Sequence, residues 1–358
     1  MPTKSSATDR ALRFLAQKKH IRSRDLALNL RVSRQRAHAI LAQLLREGRI
    51  VKLGSTAHAS YAVPDYAATH LEIYPARFQK NYRASGLRED EVFEEAERRL
   101  PQLARLPRNI RQIFRYAFTE MLNNAIEHSA SAEVRVDVSV ERGRLDFSIE
   151  DHGIGAFRKV MAARHLGSEL SAAQDILKGK ITTSPEGHTG QGIFFTSKAA
   201  DQFDLKSYGY KMLVDNKIDD VFLSEAKNPF HGTRVRFSLA TDSERLVAEV
   251  FERYTNTEEG GELGFDRTEV RVKLYTREGT HVSRSQARRI LVSLERFDSV
   301  VLDFDKVEAV GQAFADEIFR VFRRQFPKIK IIPTNMNEAV AFMVKRAQGE
   351  NSPETLFS

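Results

Sequence analysis

The sequence predicts an α/β protein built from three modules, because three different patterns follow one another along its 358 residues. Residues 1–64 contain three short amphipathic helices and then two short strands. Residues 106–254 join a long amphipathic helix to strands of period two, which indicates helices lying over a mixed or antiparallel sheet. Residues 266–350 alternate strands with helices, beginning with a predicted strand at 269–275, and this pattern is typical of a layered α/β domain. Residues 65–105 are predicted to form a charged, helical connector between the first two modules.

The positive charge of the chain is unevenly distributed. The net charge is +8, yet residues 1–60 contain 13 Lys or Arg and only 3 Asp or Glu. This distribution favours a polyanionic partner for the first module alone, with a merely solvated basic surface as the alternative. The chain has no cysteine, which excludes disulfides and thiolate metal sites. No apolar run is long enough to cross a bilayer, so we expect a cytoplasmic protein with no membrane partner.

The elements of the first module can be assigned from periodicity and capping residues. Residues 7–17 and 23–30 form amphipathic helices, and a third helix follows Ser33, a good N-cap, and ends before Gly48, a good C′ residue. Two strands then flank a turn at 54–60. In the connector, we expect a helix near 89–100 that is interrupted by prolines.

The second module opens with a helix whose polar residues need an explanation. Beside the apolar stripe of the segment FTEMLNNAIEHS lies a second stripe, made of Glu120, Asn124 and His128 at one-turn intervals. A carboxylate, an amide and an imidazole thus border the face that the helix must bury. The hairpin AEVRVDVSVERGRLDFSIED follows, with its turn at Arg142–Gly143.

Three further segments of this module carry candidate binding residues. Asp151, Gly153 and Gly155 end a buried strand: the carboxylate can accept a hydrogen bond from an exocyclic amine, and the glycines let the backbone approach a planar ring. A plain turn would use the same residues.

The second segment is rich in glycine, and the third begins with Gly-Thr. Gly187, Gly190 and Gly192 precede an apolar helix, so that free backbone N–H groups and a helix N-terminus would suit phosphates; a flexible loop is the alternative. Thr233 is predicted to begin a strand, where its hydroxyl could lie near a base.

Taken in this order, the segments of residues 106–254 resemble the ATP-binding domain of the gyrase, heat-shock chaperone and histidine kinase group, the GHKL fold. The resemblance implies that Asn124 gives an amide oxygen to Mg²⁺, that Asp151 and Thr233 bind adenine, and that Glu120 is the catalytic base. It implies that Gly153 and Gly155 support the ring, that Gly187, Gly190 and Gly192 enclose the phosphates, and that residues 157–186 form a lid. Glu120 could instead have a structural hydrogen bond only.

The spacing Glu–x₃–Asn–Ala–x₂–His resembles the anti-sigma-factor serine kinases more than gyrase. Autophosphorylation on histidine is not expected, because His70 lies in a short segment rather than in a long paired helix.

The first module resembles a winged helix-turn-helix. Helix 34–46 would be its recognition helix, with Arg34, Gln35, Arg36 and His38 facing base edges, while Arg49 and Lys52 contact phosphates. A winged helix that binds protein is the alternative, and RNA stays open as the nucleic acid.

The third module resembles the STAS-like domains. Val310, Gly311 and Gln312 occupy the position where anti-anti-sigma members of that group have a phosphorylated serine. No Ser or Thr occurs between Phe304 and Pro333, which argues against phosphorylation at that site.

Together these patterns predict a regulator that binds DNA and ATP with Mg²⁺, hydrolyses ATP slowly, and changes DNA or partner binding with its nucleotide state. The alternatives are a serine/threonine kinase acting on a separate protein and an interaction scaffold with a vestigial site. Whether the enzyme is an ATPase or a kinase stays open. We also expect a homodimer and a protein partner at the STAS-like domain.

Overall fold

The structure is a computed structural model that describes residues 6–53, 59–70, 73–179, 191–255, 266–275 and 280–349. Within these residues the strands form a three-stranded sheet near the N-terminus, a five-stranded sheet in the middle, and a three-stranded and a two-stranded sheet near the C-terminus. Helices pack on each part, which confirms the predicted α/β fold class.

The N-terminal part has its own small apolar core. Its elements are α1 (Ala7–Lys18), β1 (His20–Arg22), α2 (Ser23–Leu30), α3 (Arg34–Arg46), β2 (Val51–Leu53) and β3 (Ser60–Ala62). The Ser33 hydroxyl accepts a hydrogen bond from the Arg36 amide at 3.2 Å, and Gly48 follows α3 with φ +67°, so both predicted ends of this helix are correct. Of the predicted 54–60 turn, residues 54–58 lie outside the described residues.

Strand β1 was not predicted. It is only three residues long, too short to show a period, and it exists because it pairs antiparallel with β3 and completes a sheet of order β1-β3-β2.

The segment expected as a helical connector begins with α4 (Pro64–Thr69) and contains the helix predicted near 89–100 as α5 (Glu89–Arg99), but it also contains a strand, β4 (Arg77–Arg83), that was not predicted. Strand β4 pairs antiparallel with residues Glu133–Glu141 (β5) and forms an edge of the five-stranded sheet. Most of its side chains are exposed, and such a strand gives no clear alternation of apolar and polar residues.

The middle part is an antiparallel sheet of order β4-β5-β6-β8-β7 with helices packed on it. Its further elements are α6 (Arg108–His128), β5 (Glu133–Glu141), β6 (Arg144–Asp151), α7 (Ala156–Ala163), α8 (Glu169–Lys178), α9 (Gly192–Ala199), β7 (Gln202–Asp215), β8 (Asp220–Ala240) and α10 (Val247–Glu252). Phe118 of α6 meets Phe147 of the sheet edge-on, with ring centroids 5.6 Å apart. This packing fixes the orientation of α6, and therefore of its polar stripe, relative to the sheet.

The C-terminal part is a parallel sheet of order β13-β11-β9 with helices. Its elements are β9 (Arg267–Arg271), β10 (Thr280–His281), α11 (Arg284–Leu291), β11 (Ser299–Asp303), β12 (Ala309–Val310), α12 (Gln312–Asp316), a π-helical stretch Glu317–Phe322, α13 (Arg323–Gln325), β13 (Lys330–Thr334) and α14 (Glu338–Gln348). Residues 272–275 were predicted to continue the first strand, but they form a 3₁₀ turn. The apolar core of this part is continuous with that of the middle part.

Candidate functional site

Asp151 and Thr233 lie opposite each other on two neighbouring strands. They are paired in the register of β6 with β8, and the Asp151 side chain is buried, with 3% exposure. Its Oδ1 accepts hydrogen bonds from the Gly153 amide at 2.9 Å and from the Thr233 amide at 3.2 Å. Thr233 was predicted to begin a strand, but it lies within the long strand β8. It does lie next to Asp151.

Burial raises the pKa of the Asp151 carboxyl, while the bonds from the Gly153 and Thr233 amides act in the opposite direction. Both amide bonds end on one oxygen. The second oxygen, Oδ2, is therefore the one that can accept a donor from outside this turn.

Two glycines hold the loop after β6 against the end of α6. A Cβ built on Gly153 would lie 1.8 Å from the Ser129 carbonyl oxygen, so this close approach of two backbones requires glycine. The Ile154 amide donates to the same carbonyl at 2.7 Å. Gly155 has φ +88° and caps α7, and the next amide, that of Ala156, donates to the Thr233 hydroxyl at 2.9 Å.

Tyr208 also supports this loop, although no sequence pattern indicated that it would. Its hydroxyl donates to the Gly153 carbonyl at 3.1 Å, and a Cβ on Gly155 would lie 2.6 Å from its ring. The Arg158 guanidinium lies 3.4 Å from the centre of the ring. Tyr208 has φ +47° at an irregularity of the β7–β8 pairing, a conformation that a pattern of alternating residues does not reveal.

Glu120 contacts Gly192 at the other end of the polar stripe. A Cβ on Gly192, the first residue of α9, would lie 2.1 Å from Glu120 Oε2. Burial and the charge of Glu120 together raise the pKa of the Tyr116 hydroxyl, one turn earlier in α6. Two of the predicted residues, separated by 72 positions in the chain, are thus brought into direct contact.

Asn124 lies on α6 between Glu120, which contacts Gly192, and Ser129, which contacts Gly153. The helical rise from Glu120 to Ser129 separates these two ends of the site by about 13 Å. Asn124 is half-buried within this interval, and its side chain makes no hydrogen bond to another described residue. His128 is half-buried, and its carbonyl accepts a hydrogen bond from Lys159 at 3.1 Å.

Two predicted glycines, Gly187 and Gly190, lie outside the described residues. Among the residues that are described, no group of three or more His, Cys, Asp or Glu side chains is arranged to hold a metal ion. A Mg²⁺ ion bound with a nucleotide does not need such a group, because phosphate oxygens and water supply most of its ligands. One protein oxygen, such as that of the Asn124 amide, is consistent with this coordination.

The six residues predicted to contact nucleic acid are all exposed on the N-terminal part. Four follow Ser33 on the outer side of α3, opposite the buried Ala37 and Ile40, and two lie at and before β2. They are Arg34, Gln35, Arg36, His38, Arg49 and Lys52.

Comparison with known families agrees with the middle and C-terminal assignments. Residues 88–214 match the model of the histidine kinase-like ATPase domain. Residues 286–341 match that of a STAS-like domain of unknown function (DUF4325). No curated protein matches the chain.

The ATPase-domain match includes the candidate residues from Glu120 to Gly192 and ends before Thr233. It begins at 88, before the predicted boundary of 106, and so includes α5. A histidine kinase-like ATPase domain implies nucleotide binding. Together with a STAS-like domain it fits a nucleotide-dependent regulator. Within the described residues, no helix is both long and apolar enough to span a membrane.

Proposed function

We propose that this protein is an ATP-binding regulator whose nucleotide state controls its binding to DNA or to a partner protein. The observation that carries the proposal is the buried Asp151 carboxylate, whose Oδ1 is held by two backbone amides. A buried carboxylate whose Oδ2 receives neither amide bond can accept a hydrogen bond from the exocyclic amine of adenine.

The other polar residues along α6 suit the phosphate end of the nucleotide. Asn124 would give one oxygen to Mg²⁺, and the positive end of the α9 helix dipole would favour phosphate. Mg²⁺, when bound, would neutralise charge on the phosphates. Glu120, next to Gly192, would accept the proton of the attacking water.

The N-terminal part would carry the DNA-binding activity as a winged helix. The support for this is the exposure of Arg34, Gln35 and Arg36 at the start of α3, with a +10 excess of charge in residues 1–60. The STAS-like domain would be the place for a protein partner.

Adenine recognition is tested by replacing Asp151 with asparagine. Because the two amides hold Oδ1, the new NH₂ group would occupy the position of Oδ2 and face the adenine amine, donor against donor. We expect the Kd for Mg-ATP, measured by calorimetry, to rise at least about tenfold, or about 1.4 kcal/mol. Asp242→Asn, at an exposed turn, is the matched control. An unchanged Kd in a folded Asp151→Asn protein would reject the proposed adenine site.

The fate of the γ-phosphate separates hydrolysis from kinase activity. With γ-labelled ATP, free phosphate supports a hydrolysing regulator, and label on a Ser or Thr of a protein supports a serine/threonine kinase. Both activities require a base, so Glu120→Gln should abolish turnover and leave binding intact, while the exposed Glu127→Gln serves as the control. Turnover that survives in Glu120→Gln would remove Glu120 from this role.

A further inference from the structure

Helix α8 lies between the candidate nucleotide site and the C-terminal domain. It packs against α7, which begins directly after Gly155, and against α9, which begins at Gly192. It also contacts β9 of the C-terminal domain. The helix therefore contacts the two helices that begin at the site, and it also contacts the neighbouring domain.

Four hydrogen bonds between described residues join α8 to the C-terminal domain. The Gln174 amide donates to the Leu274 carbonyl at 2.6 Å, and the Lys178 ammonium donates to the Val292 carbonyl at 2.7 Å and to the Arg289 carbonyl at 3.5 Å. In the opposite direction, the Thr268 hydroxyl donates to the Lys178 carbonyl at 2.6 Å. The Lys178 and Thr268 side chains are almost fully buried, so this contact excludes water.

The same contact buries charges that are poorly satisfied. Asp175 is 2% exposed and lies 3.5 Å from Arg164 Nε and 3.8 Å from Lys178 Nζ, and neither of its carboxylate oxygens has a hydrogen-bond partner among the described residues. Burial lowers the pKa of Lys178 to about 8. Burying such a pair is costly, and separating the two domains would return both charges to water. The buried charges therefore make docking of the two domains less favourable than it would be with the apolar contacts alone.

A second contact lies at the turn between β7 and β8. Arg271 Nη2 binds Asp219 at 2.6 Å, and Lys306 binds Asp220 at 2.8 Å. Burial raises the pKa of Asp220, but the bonds from Lys273 and Lys306 outweigh this effect and hold it at about 2. With two separate contacts, the C-terminal domain holds α8 in a fixed position relative to the sheet.

We propose that the C-terminal domain is an intramolecular regulator of the nucleotide site, because its docking on α8 is thermodynamically coupled to nucleotide binding. This inference rests on the proposed nucleotide binding. Since α8 packs on the helices that begin at Gly155 and Gly192, a change in its position changes both ends of the site. Coupling of this kind is reciprocal, so the nucleotide must also shift the docking equilibrium by the same factor.

Variants of the full chain can loosen the contact without touching the site. Thr268→Val removes one buried hydroxyl at nearly constant volume, and Lys178→Met removes one charge and leaves Asp175 short of a partner. Adding Asp175→Asn to Lys178→Met removes both charges and should restore docking in part. Lys330→Met, at an exposed position of β13, is the matched control.

Docking and binding are measured separately. The chain has no cysteine, so Glu141→Cys and Ala339→Cys give two specific spin-label sites, one on each domain and both exposed. Distances between the labels report docking with and without Mg-ATP, and calorimetry gives the Kd. We expect Thr268→Val and Lys178→Met to broaden the distance distribution and to change the Kd for Mg-ATP at least about fivefold. The control should change neither quantity.

The outcomes distinguish this inference from the proposed function. Broadened distances with a Kd within about twofold of the wild-type value would overturn the coupling and leave nucleotide binding intact. A changed Kd with unchanged distances would also overturn it, as would unchanged distances and Kd in every variant. If the wild-type chain binds no Mg-ATP, the proposed function fails, and the coupling fails with it.

Discussion

Replacing Gly192 with alanine tests the role of Glu120 by displacing its carboxylate and leaving its chemistry unchanged. The new Cβ would lie 2.1 Å from Glu120 Oε2, 3.1 Å from its Cδ and 3.4 Å from its Cβ. The clash therefore involves the far end of a flexible side chain, which can rotate away. The backbone of α9 need not move, and alanine is a better helix former than glycine, so the fold should persist.

The size of the effect follows from these distances. A carbon and an oxygen that are not bonded rarely approach within 3.0 Å, so Oε2 must withdraw by about 1 Å. Misplacing a catalytic group by about 1 Å can lower the rate about 10²-fold, equivalent to about 2.7 kcal/mol in the activation barrier. Nucleotide affinity should change much less, because the base is needed for the reaction and not for binding.

The assay is release of labelled phosphate from γ-labelled ATP, together with the Kd for Mg-ATP from calorimetry. Gly167→Ala is the control, because a Cβ at that position would have no heavy atom within 4 Å. We expect normal turnover in the control and about 1% of it in Gly192→Ala. A folded Gly192→Ala protein that hydrolyses ATP at the wild-type rate would refute the assignment of Glu120 as the base.

Three further predictions address the other parts of the molecule. Burial raises the pKa of Asp151 above the ordinary 3.8, and only the ionised carboxylate offers both of its oxygens as acceptors, so affinity for Mg-ATP should be full above that raised pKa and fall as the pH is lowered through it. Calorimetry of Asp151→Asn over the same pH range should give a flat, weak profile, and equal profiles for the two proteins would contradict the idea. Gly153→Ala should lower the free energy of unfolding by about 3 kcal/mol in urea titrations, since its Cβ would lie 1.8 Å from the backbone oxygen of Ser129; a wild-type denaturation midpoint would show that the loop can move. Replacing Arg34 and Arg36 together with alanine should weaken DNA binding and reduce the salt slope by about 2, whereas the same change at the exposed Arg346 should not; an unchanged slope would exclude α3 from the DNA contact.

The sequence-based predictions succeeded for elements that local interactions define and failed for elements that depend on pairing with distant segments. Helix α3 was predicted with its cap at Ser33, because its apolar period and its capping residue lie within a few positions of each other. Strand β4 was missed, because its exposed residues have little alternation and only its pairing with β5 makes it a strand. The start of the strand at Thr233 was wrong for a related reason: β8 continues through an irregularity that no local pattern marks.

The candidate site also divides into residues that local patterns indicate and residues that only long-range contacts reveal. Glu120, Asn124 and Asp151 were identified from the sequence as candidates, and the structure has them on the predicted helix and strand. Tyr208 was not, because its contact with Gly153 depends on a positive φ and on the alignment of two strands. Helix α8 was expected only as part of a lid, and nothing in its sequence indicated that Gln174 and Lys178 bind the C-terminal domain.

By itself, the sequence determined the amphipathic faces of the long helices and the polar edge of α6, and it predicted three modules, because each of these follows from the spacing of side chains along a regular backbone. Only the tertiary structure decided which of these residues meet. Glu120 touches Gly192, Asp151 faces Thr233, and α8 lies against the C-terminal domain because sheet register and helix packing bring distant segments together. Such contacts depend on the simultaneous burial of many side chains, and the order of residues in one segment does not specify them.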